Sequence, residues 1–448
     1  MHQEVSAPPA DGRAAPRCAP WWHGVRTRPD VHPRAAVRAR SAAALRTAAV
    51  AVLLALCGVT VLALVREQTG PDGFLVGLGL AVLPVPPLVA AFRWLDRATP
   101  SPWRNLVFAF GWGACAATLV AIVTNGLATE WLTDSLLPRA PGRAESLGTT
   151  LVAPVVEETA KAGAVLLLDL LRPRDFGGTV CGTVVAGITA TGFAFTENVL
   201  YLGRAFGEDL AFGHTGLEST TLGTFLQRIV MAPLAHPLFT VLTGLGFGAA
   251  ALTARRRRAV RTALPLLGLA AGITLHAVWN GAASRPPETF FLVYGLFMAP
   301  VLGVVTWLVL WSRRRLLRTV RATLHGYAAT GWLAAPEPYA LGSPRARALA
   351  RDLARRRYGR RAARTVAEYH RTAACLALLR ARAERGAPPP DFPAHEHALL
   401  HTLWRHRPLA GPVTASAARV LPRPHAPPHS PPLPYTVPYL QPPPAHRG

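Results

Sequence analysis

Long apolar stretches separated by short polar segments occupy the chain up to about residue 311. A helix needs about 20 apolar residues to cross the hydrocarbon core of a bilayer. Eight segments reach that length: residues 47–65, 73–92, 106–127, 147–171, 179–202, 229–252, 262–282 and 289–311. The pattern predicts an all-α fold, a polytopic membrane helix bundle of about eight transmembrane helices.

The segments on either side of this region have a different composition. Residues 1–46 are rich in arginine and are expected to form a disordered cytoplasmic segment ahead of the membrane domain, 47–311. Residues 312–407 are rich in Ala, Leu and Arg, which predicts a small cytoplasmic helical region. Residues 408–448 are expected to be a disordered tail, because eleven of the last 28 residues are proline.

The distribution of charged residues predicts the orientation of the chain in the membrane. Only 16% of residues are charged, yet the net charge is +24. The arginines cluster at the ends of the apolar stretches, so a lipid bilayer explains them better than nucleic acid, and no nucleic-acid partner is expected. Eighteen arginines fall in alternate connecting segments and six in the others. The positive-inside rule then places both termini in the cytoplasm of a cell-membrane protein.

Three ionisable residues interrupt the fourth apolar stretch: Glu157, Glu158 and Lys161. Each costs about 2.5–3.5 kcal/mol at the centre of a membrane helix, which favours a functional interpretation. Lys161 is the only lysine of the sequence. It follows the glutamates by three and four residues, so it can pair with either on one helix face. A salt-bridged cluster that only orients helices is the structural alternative.

Later apolar stretches also contain polar residues. They are Glu197 and Asn198 in the fifth, His236 in the sixth, and His276 and Asn280 in the seventh. His276 and Asn280 are four residues apart and therefore share a helix face. At about 1.5 Å per residue, Glu157, Glu197, His236 and His276 lie roughly 8–15 Å below the outer boundary. This similar depth predicts that they form one site in the outer half of the membrane.

The order of these residues resembles the motifs of the PrsW family of intramembrane proteases, in the wider clan that includes CAAX-prenyl proteases. The matching motifs are Glu157 and Glu158 with Lys161, Phe193 with Glu197 and Asn198, His236, and His276 with Trp279 and Asn280. The resemblance covers about residues 45–312, and the region after it resembles the C-terminal extension of actinobacterial members. It implies an intramembrane endopeptidase whose substrates are membrane-embedded or membrane-anchored proteins, such as a membrane-held regulator.

The resemblance also implies roles for these side chains. Glu157 is the expected general base, Glu158 its Lys161-paired partner, His236 a polariser of water, and His276 and Asn280 the donors to the oxyanion. Glu197 and Asn198 complete the expected catalytic set. The rival scheme binds a divalent metal, expected to be zinc, through His236, His276 and Glu157. We favour the metal-free glutamate scheme, so no cofactor is firmly implied.

Two functions of other classes remain open. A transporter or channel could use an intramembrane Glu, His and Lys relay, although no duplicated half with paired broken helices is evident. A non-catalytic membrane scaffold is the other alternative.

A second histidine-rich pattern lies in the predicted cytoplasmic region, where His395 and His397 flank Glu396. A zinc-protease helix would need histidine at the position of Leu399. We therefore predict a solvated helix face here.

Overall fold

The computed structural model describes residues 33–136, 139–389 and 391–419. Much of the two predicted disordered segments falls on residues 1–32 and 420–448, which lie outside the described residues. The chain divides into two compact units, residues 1–53 and 54–448. All packing discussed below belongs to the second unit.

The described residues form α-helices, short π-helical and 3₁₀ turns, and no strands, which confirms the all-α prediction. The helices are α1 Pro33–Ala81, α2 Val85–Leu95, α3 Trp103–Gly111, α4 Thr118–Trp131, α5 Pro141–Leu147, α6 Ala153–Leu171, α7 Thr179–Phe212, α8 Thr220–Phe225, α9 Ala235–Leu252, α10 Arg258–Ala283, α11 Pro287–Val293, α12 Ala299–Ala329, α13 Glu337–Leu341, α14 Pro344–Glu384 and α15 Phe392–Ala418. The π-helical turns are Trp112–Ala117, Leu132–Leu136, Gly148–Val152, Leu226–Met231 and Tyr294–Met298.

Six helical stretches among the described residues are long and apolar enough to cross a membrane. They are Ala44–Ala98, Trp103–Ser135, Thr179–Phe212, Thr220–Leu252, Arg258–Ala283 and Pro287–Ala329. The polytopic membrane bundle is therefore confirmed, but the count of eight is not, and it stays a prediction. The first stretch contains two of the predicted spans and has non-helical backbone at Gly70. Another predicted span coincides with α6, which carries the ionisable Glu157, Glu158 and Lys161.

Helix α7 lies at the centre of the membrane bundle. In its most apolar window 89% of the residues are buried, against 11–44% for the other five stretches. Small residues allow its neighbours to approach closely. A Cβ atom on Gly182 would lie 2.1 Å from the carbonyl oxygen of Gly244 in α9, so only glycine permits this helix contact. The close packing fixes the relative positions of the polar side chains on α7 and α9.

The C-terminal region has an apolar core of its own, formed by the end of α12 with α13, α14 and α15. Tyr327, Tyr369, Leu376 and Leu400 are among its fully buried side chains. Glu396 is also fully buried. The predicted solvated face is therefore wrong at Glu396, because the position packs against the facing helices.

Two helices run past predicted domain boundaries, which stay predictions. Helix α15 continues through Pro408 and Pro412 to Ala418 and so extends into the predicted tail, 408–448. Proline usually disrupts a helix interior, but here Ala410 and other residues of this turn pack into the core. At the other end, α1 begins at Pro33. Its first turns consist largely of Ala and Arg, which favour helix, so this helix covers residues 33–46 of the predicted N-terminal segment.

Candidate active site

Lys161 lies at the centre of a buried polar cluster formed by α6, α7, α9 and α10. Its ammonium donates to Glu158 Oε1 at 2.9 Å and to Glu157 Oε2 at 3.3 Å. Nζ also lies 3.0 Å from His236 Nδ1 and 3.8 Å from the centre of the Phe193 ring. A buried charge needs several such partners. The single lysine of the chain therefore joins the carboxylates of α6 to the imidazole of α9.

Both oxygens of Glu158 are engaged. Oε1 lies 2.9 Å from Lys161 Nζ and 3.1 Å from His276 Nδ1. Oε2 accepts a hydrogen bond from Thr240 Oγ1 at 2.7 Å. The residue is fully buried. Its contacts with Lys161 of the same helix and with side chains of α9 and α10 fix it in place and orient the His276 ring, which donates from Nδ1.

Glu157 has fewer contacts than its neighbour. Its Oε2 is shared between Lys161 Nζ at 3.3 Å and His276 Nε2 at 3.8 Å. The other oxygen, Oε1, has no hydrogen-bond partner among the described residues. The side chain keeps 8% of its surface exposed, whereas that of Glu158 keeps none. Glu157 is therefore the carboxylate with an oxygen left to meet water.

His236 connects the two halves of the cluster through both ring nitrogens. Since the Lys161 ammonium donates to Nδ1, the ring proton belongs on Nε2, which lies 2.6 Å from Glu197 Oε2. The ring packs against Phe193 and meets His276 edge-on, with centroids 5.2 Å apart. The two imidazoles are thereby held close together.

Arg228, which sequence reasoning missed, anchors the α7 side of the site. Its Nη1 donates to Glu197 Oε2 at 3.0 Å and to Asn198 Oδ1 at 3.2 Å. The guanidinium also lies 3.7 Å from the centre of the Tyr201 ring. The sequence signal for Arg228 was its position directly before an apolar stretch. An arginine at such a position is equally well explained as an ordinary charge of a connecting loop.

Asn280 lies apart from these contacts. Its amide Nδ2 donates to the carbonyl oxygen of Thr149 at 2.9 Å, although it shares a helix face with His276. The structure thus connects six of the predicted site residues through direct contacts and joins Asn198 to them through Arg228. It directs the eighth, Asn280, towards the π-helical turn that precedes α6. The six directly connected residues are Glu157, Glu158, Lys161, Glu197, His236 and His276.

Two π-helical turns border the site. Gly148–Val152 leads into α6, and Leu226–Met231 carries Arg228. A π-helical turn inserts one residue into the helical repeat and rotates the side chains that follow, and such turns are frequent at functional sites. Here the second turn directs Arg228 towards α7.

Three side chains of the cluster could hold a metal ion. The ligand atoms of Glu157, His236 and His276 all lie within 4.8 Å of one another. Two imidazoles and a carboxylate are a ligand set of catalytic zinc sites, so the donors fit a divalent metal in kind. However, Lys161 and Glu197 already engage both nitrogens of His236. One of these contacts must be released before His236 can bind a metal.

This polar cluster lies within the part of the chain that matches a known protein family. Residues 101–311 match the family described as PrsW family intramembrane metalloprotease. Every predicted site residue, and Arg228 as well, lies inside that range. Comparison with curated proteins and with solved structures finds no match. The C-terminal helical region lies outside the matched residues.

Proposed function

Residues 101–311 make this chain a member of the PrsW family of intramembrane proteases, and from that premise we propose that Glu157 is its general base. The protein is an intramembrane endopeptidase. The observation that carries the proposal is the difference between the adjacent carboxylates. Glu158 has both oxygens engaged, whereas Glu157 Oε1 has no partner among the described residues. A base must be able to hydrogen-bond the water that it deprotonates.

The proposed reaction follows from this arrangement. Glu157 takes a proton from water, the resulting hydroxide attacks the peptide carbonyl carbon, and an oxyanion forms. As the C–N bond breaks, the proton held by Glu157 passes to the leaving amine. Glu158 stays ionised beside Lys161 and holds His276 by Nδ1, which leaves Nε2 directed towards Glu157. When the ring also carries a second proton, on Nε2, it would donate a hydrogen bond from that nitrogen to the oxyanion.

Asn280 is the second proposed donor to the oxyanion. Its amide currently donates to Thr149 O, so it must exchange this carbonyl for the oxyanion when substrate is bound. A substrate that binds near the turn Gly148–Val152 would place its oxyanion where the Asn280 amide can donate to it in place of Thr149 O.

A divalent metal is the second candidate, favoured by the family description and by the proximity of the three ligand atoms. Glu157, His236 and His276 would hold it. Zinc supplies Lewis-acid polarisation of the carbonyl and a water of lowered pKa. We favour the metal-free scheme because Lys161 and Glu197 already occupy His236.

Chelation separates the two schemes. We expect purified protein to remain active after exhaustive chelation and to contain well under one equivalent of metal. Loss of activity on chelation, restored by stoichiometric zinc, would overturn the metal-free scheme. His276→Ala should abolish cleavage under both schemes, but only a metal site would lose bound zinc with it.

The substrates are membrane proteins, and we propose that they include a membrane-anchored regulator cut near its outer face. New N-termini in the membrane proteome would identify them. Cells producing the wild type should show cleavage products that are missing with Glu157→Gln. Glu145→Gln is the control for the same substitution, because Glu145 is exposed on α5 and lies outside the cluster. Products that persist with Glu157→Gln would exclude Glu157 as the base.

We propose that both termini lie in the cytoplasm, on the basis of the arginine distribution. Reporter fusions at Gly142 and at Arg257 should then report opposite sides of the membrane. Nothing in the described residues or the comparisons favours the transporter or the scaffold. Solute uptake by proteoliposomes containing the protein would revive the transporter.

A further inference from the structure

A basic cavity lies where the membrane helices meet the C-terminal helical region, away from the proposed active site. Its volume is about 160 Å³. Five arginines and one histidine line it: Arg97, Arg313, Arg347, Arg351, Arg371 and His370. No Asp or Glu is among its described lining residues. Such a concentration of donors and positive charge is complementary to an anion.

Arg347 has the least compensated charge of the group. It is 6% exposed, and its guanidinium donates only to backbone carbonyls, to Ala98 O at 2.7 Å and to His370 O at 2.8 Å. Its Nε has no partner among the described residues. Burial and the neighbouring Arg351 lower the pKa of Arg347 to about 10. A buried cation without a carboxylate is costly, and an anion in the cavity would offset that cost.

His370 supplies a second unpartnered polar atom. It is 3% exposed, and its Nε2 lies 3.0 Å from Thr414 Oγ1. In the described part of the chain, its Nδ1 has no hydrogen-bond partner. Two acidic residues close in sequence to the lining residues already have partners, one of them the lining residue Arg371. Asp96 accepts from the Ser101 N–H and Arg93, and Glu368 pairs with Arg371 at 3.9 Å with both side chains about half exposed.

The cavity lies at the level where the helices leave their apolar segments. Trp94 lines it near the end of the stretch Ala44–Ala98, and Arg313 lines it just after the apolar part of α12. The guanidinium of Arg313 lies 4.3 Å from the centre of the Trp94 ring. Tryptophan and arginine at helix ends are typical of the membrane interface, where lipid headgroups lie.

We propose that this cavity binds a phosphate group, supplied by the headgroup of an anionic phospholipid. The volume is below the roughly 300–1,000 Å³ of sites that enclose a drug-sized ligand, so the acyl chains remain outside, beside Trp94. The bound phosphate bridges the two regions, because Arg97 belongs to the membrane bundle and Arg351 to α14. The proposal is independent of the catalytic mechanism.

The test uses the full-length protein, delipidated in a non-ionic detergent and followed by native mass spectrometry. The probes are short-chain phosphatidylglycerol, short-chain phosphatidylcholine and inorganic phosphate. We compare the wild type with the double variant Arg97→Gln and Arg351→Gln. Both residues are exposed, so the variant should fold, and the structural Arg347 is left intact. Arg360→Gln with Arg361→Gln is the control, which removes the same charge from exposed positions of α14.

We expect one phosphatidylglycerol per chain, bound more tightly than phosphatidylcholine because the choline cation is repelled. The pocket variant should bind about 30-fold more weakly, given the typical contribution of two arginines near a lipid surface, and the control variant should be unchanged. If inorganic phosphate displaces the lipid from the wild type but not from the double variant, the result would support a phosphate-binding site in the cavity. Phosphate binding without lipid binding would retain the site and make free phosphate its ligand. Equal binding by all three proteins, or equal loss in both variants, would overturn the proposal.

Discussion

The membrane bundle and the C-terminal helical region both bury glutamates, but the groups that contact these glutamates differ. In the membrane bundle, Glu157 and Glu158 share one lysine and contact an imidazole. In the C-terminal region the two buried glutamates, Glu337 and Glu396, have separate partners. Glu337 accepts from Tyr369 Oη at 2.7 Å, and Glu396 accepts from Tyr327 Oη and from Arg380 at 3.3 Å.

The difference distinguishes the proposed catalytic cluster from the buried glutamates of the C-terminal region. Glu337 and Glu396 are each fully buried and hydrogen-bond a tyrosine of a facing helix within the core. Burial raises the pKa of Glu337, while the hydrogen bond from Tyr369 opposes that shift. The membrane cluster instead gathers three carboxylates, two imidazoles and one amine, joined by direct contacts, and leaves Glu157 slightly exposed. Both regions bury glutamates, but in the part of the chain that the structure describes, only the membrane bundle of these two regions combines carboxylates, imidazoles and an amine.

The largest expected effect contrasts one isosteric change in the two regions. Glu157→Gln should lower kcat by about 10²- to 10⁴-fold, the usual contribution of a general base, with normal insertion and thermal stability. Glu396→Gln should leave kcat of the folded protein unchanged. It should lower the free energy of unfolding by about 1–3 kcal/mol, since Arg380 loses a charged partner. Cleavage assays with a substrate identified from the proteome, together with thermal melts, measure both quantities.

A reversed outcome would break the comparison. If Glu396→Gln lost activity without loss of stability, the C-terminal carboxylate would belong to the chemistry. If Glu157→Gln lost stability and kept its kcat, the membrane cluster would stabilise the helix bundle without taking part in catalysis.

A smaller effect is expected at Arg228, which holds Glu197 and through it His236. Arg228→Gln should lower kcat by about 10- to 100-fold, the typical result of removing a partner that orients a catalytic side chain. Arg228→Lys keeps the charge and should recover part of the activity. Arg204→Gln is the control, because Arg204 is an exposed arginine of α7. A shift in the pH dependence of kcat with Arg228→Gln would mark a positioning role, whereas a change in protein yield alone would mark a structural one.

The membrane site was largely predictable because the membrane makes its residues conspicuous. Glu157, Lys161 and His236 interrupt apolar helices, and alternating helix direction gives their depth. Arg228 was missed because it borders its apolar stretch, and Thr240 because threonine is common in membrane helices. Only the fold reveals that Thr240 donates to Glu158.

The C-terminal region was predicted less well because its pattern is ambiguous. Charged and apolar residues alternate there without a membrane to fix their depth. The residues around Glu396 suit a solvated face as well as a buried one, and tertiary packing decided between them. The same packing continues α15 through Pro408 and Pro412, where local propensity predicts that the helix ends.

Two truncations test this packing. Removal of residues 408–448 deletes Ala410, Thr414 and Ala417, which are fully buried. The melting temperature should fall by roughly 5 °C, since each kcal/mol lost shifts Tm by about 2–4 °C in a domain of 150–250 residues. Removal of residues 420–448 spares the helix and should change Tm by less than about 1 °C. Equal Tm values for the two truncated proteins would show that the end of α15 adds nothing to the fold.

The smallest expected effect is a pH dependence of stability from His370. Burial, and next the charge of Arg347, hold the pKa of His370 well below its usual 6.5. The folded protein therefore keeps the ring neutral, while the unfolded chain binds a proton below about pH 6.5. This stability is fully present above pH 6.5 and is lost as the pH falls, by up to about 1.4 kcal/mol per pH unit.

His370→Gln should flatten the fall in Tm between pH 7 and pH 5.5, measured in non-ionic detergent without phosphate or anionic lipid. Glutamine cannot take up the proton, and its amide can still donate to Thr414, so the fold should survive the change. His401→Gln is the control, since His401 is exposed on α15. Parallel Tm curves for wild type and His370→Gln would assign the acid sensitivity to other groups. Addition of phosphatidylglycerol should reduce the acid sensitivity of the wild type, because a bound phosphate next to His370 favours its protonated ring.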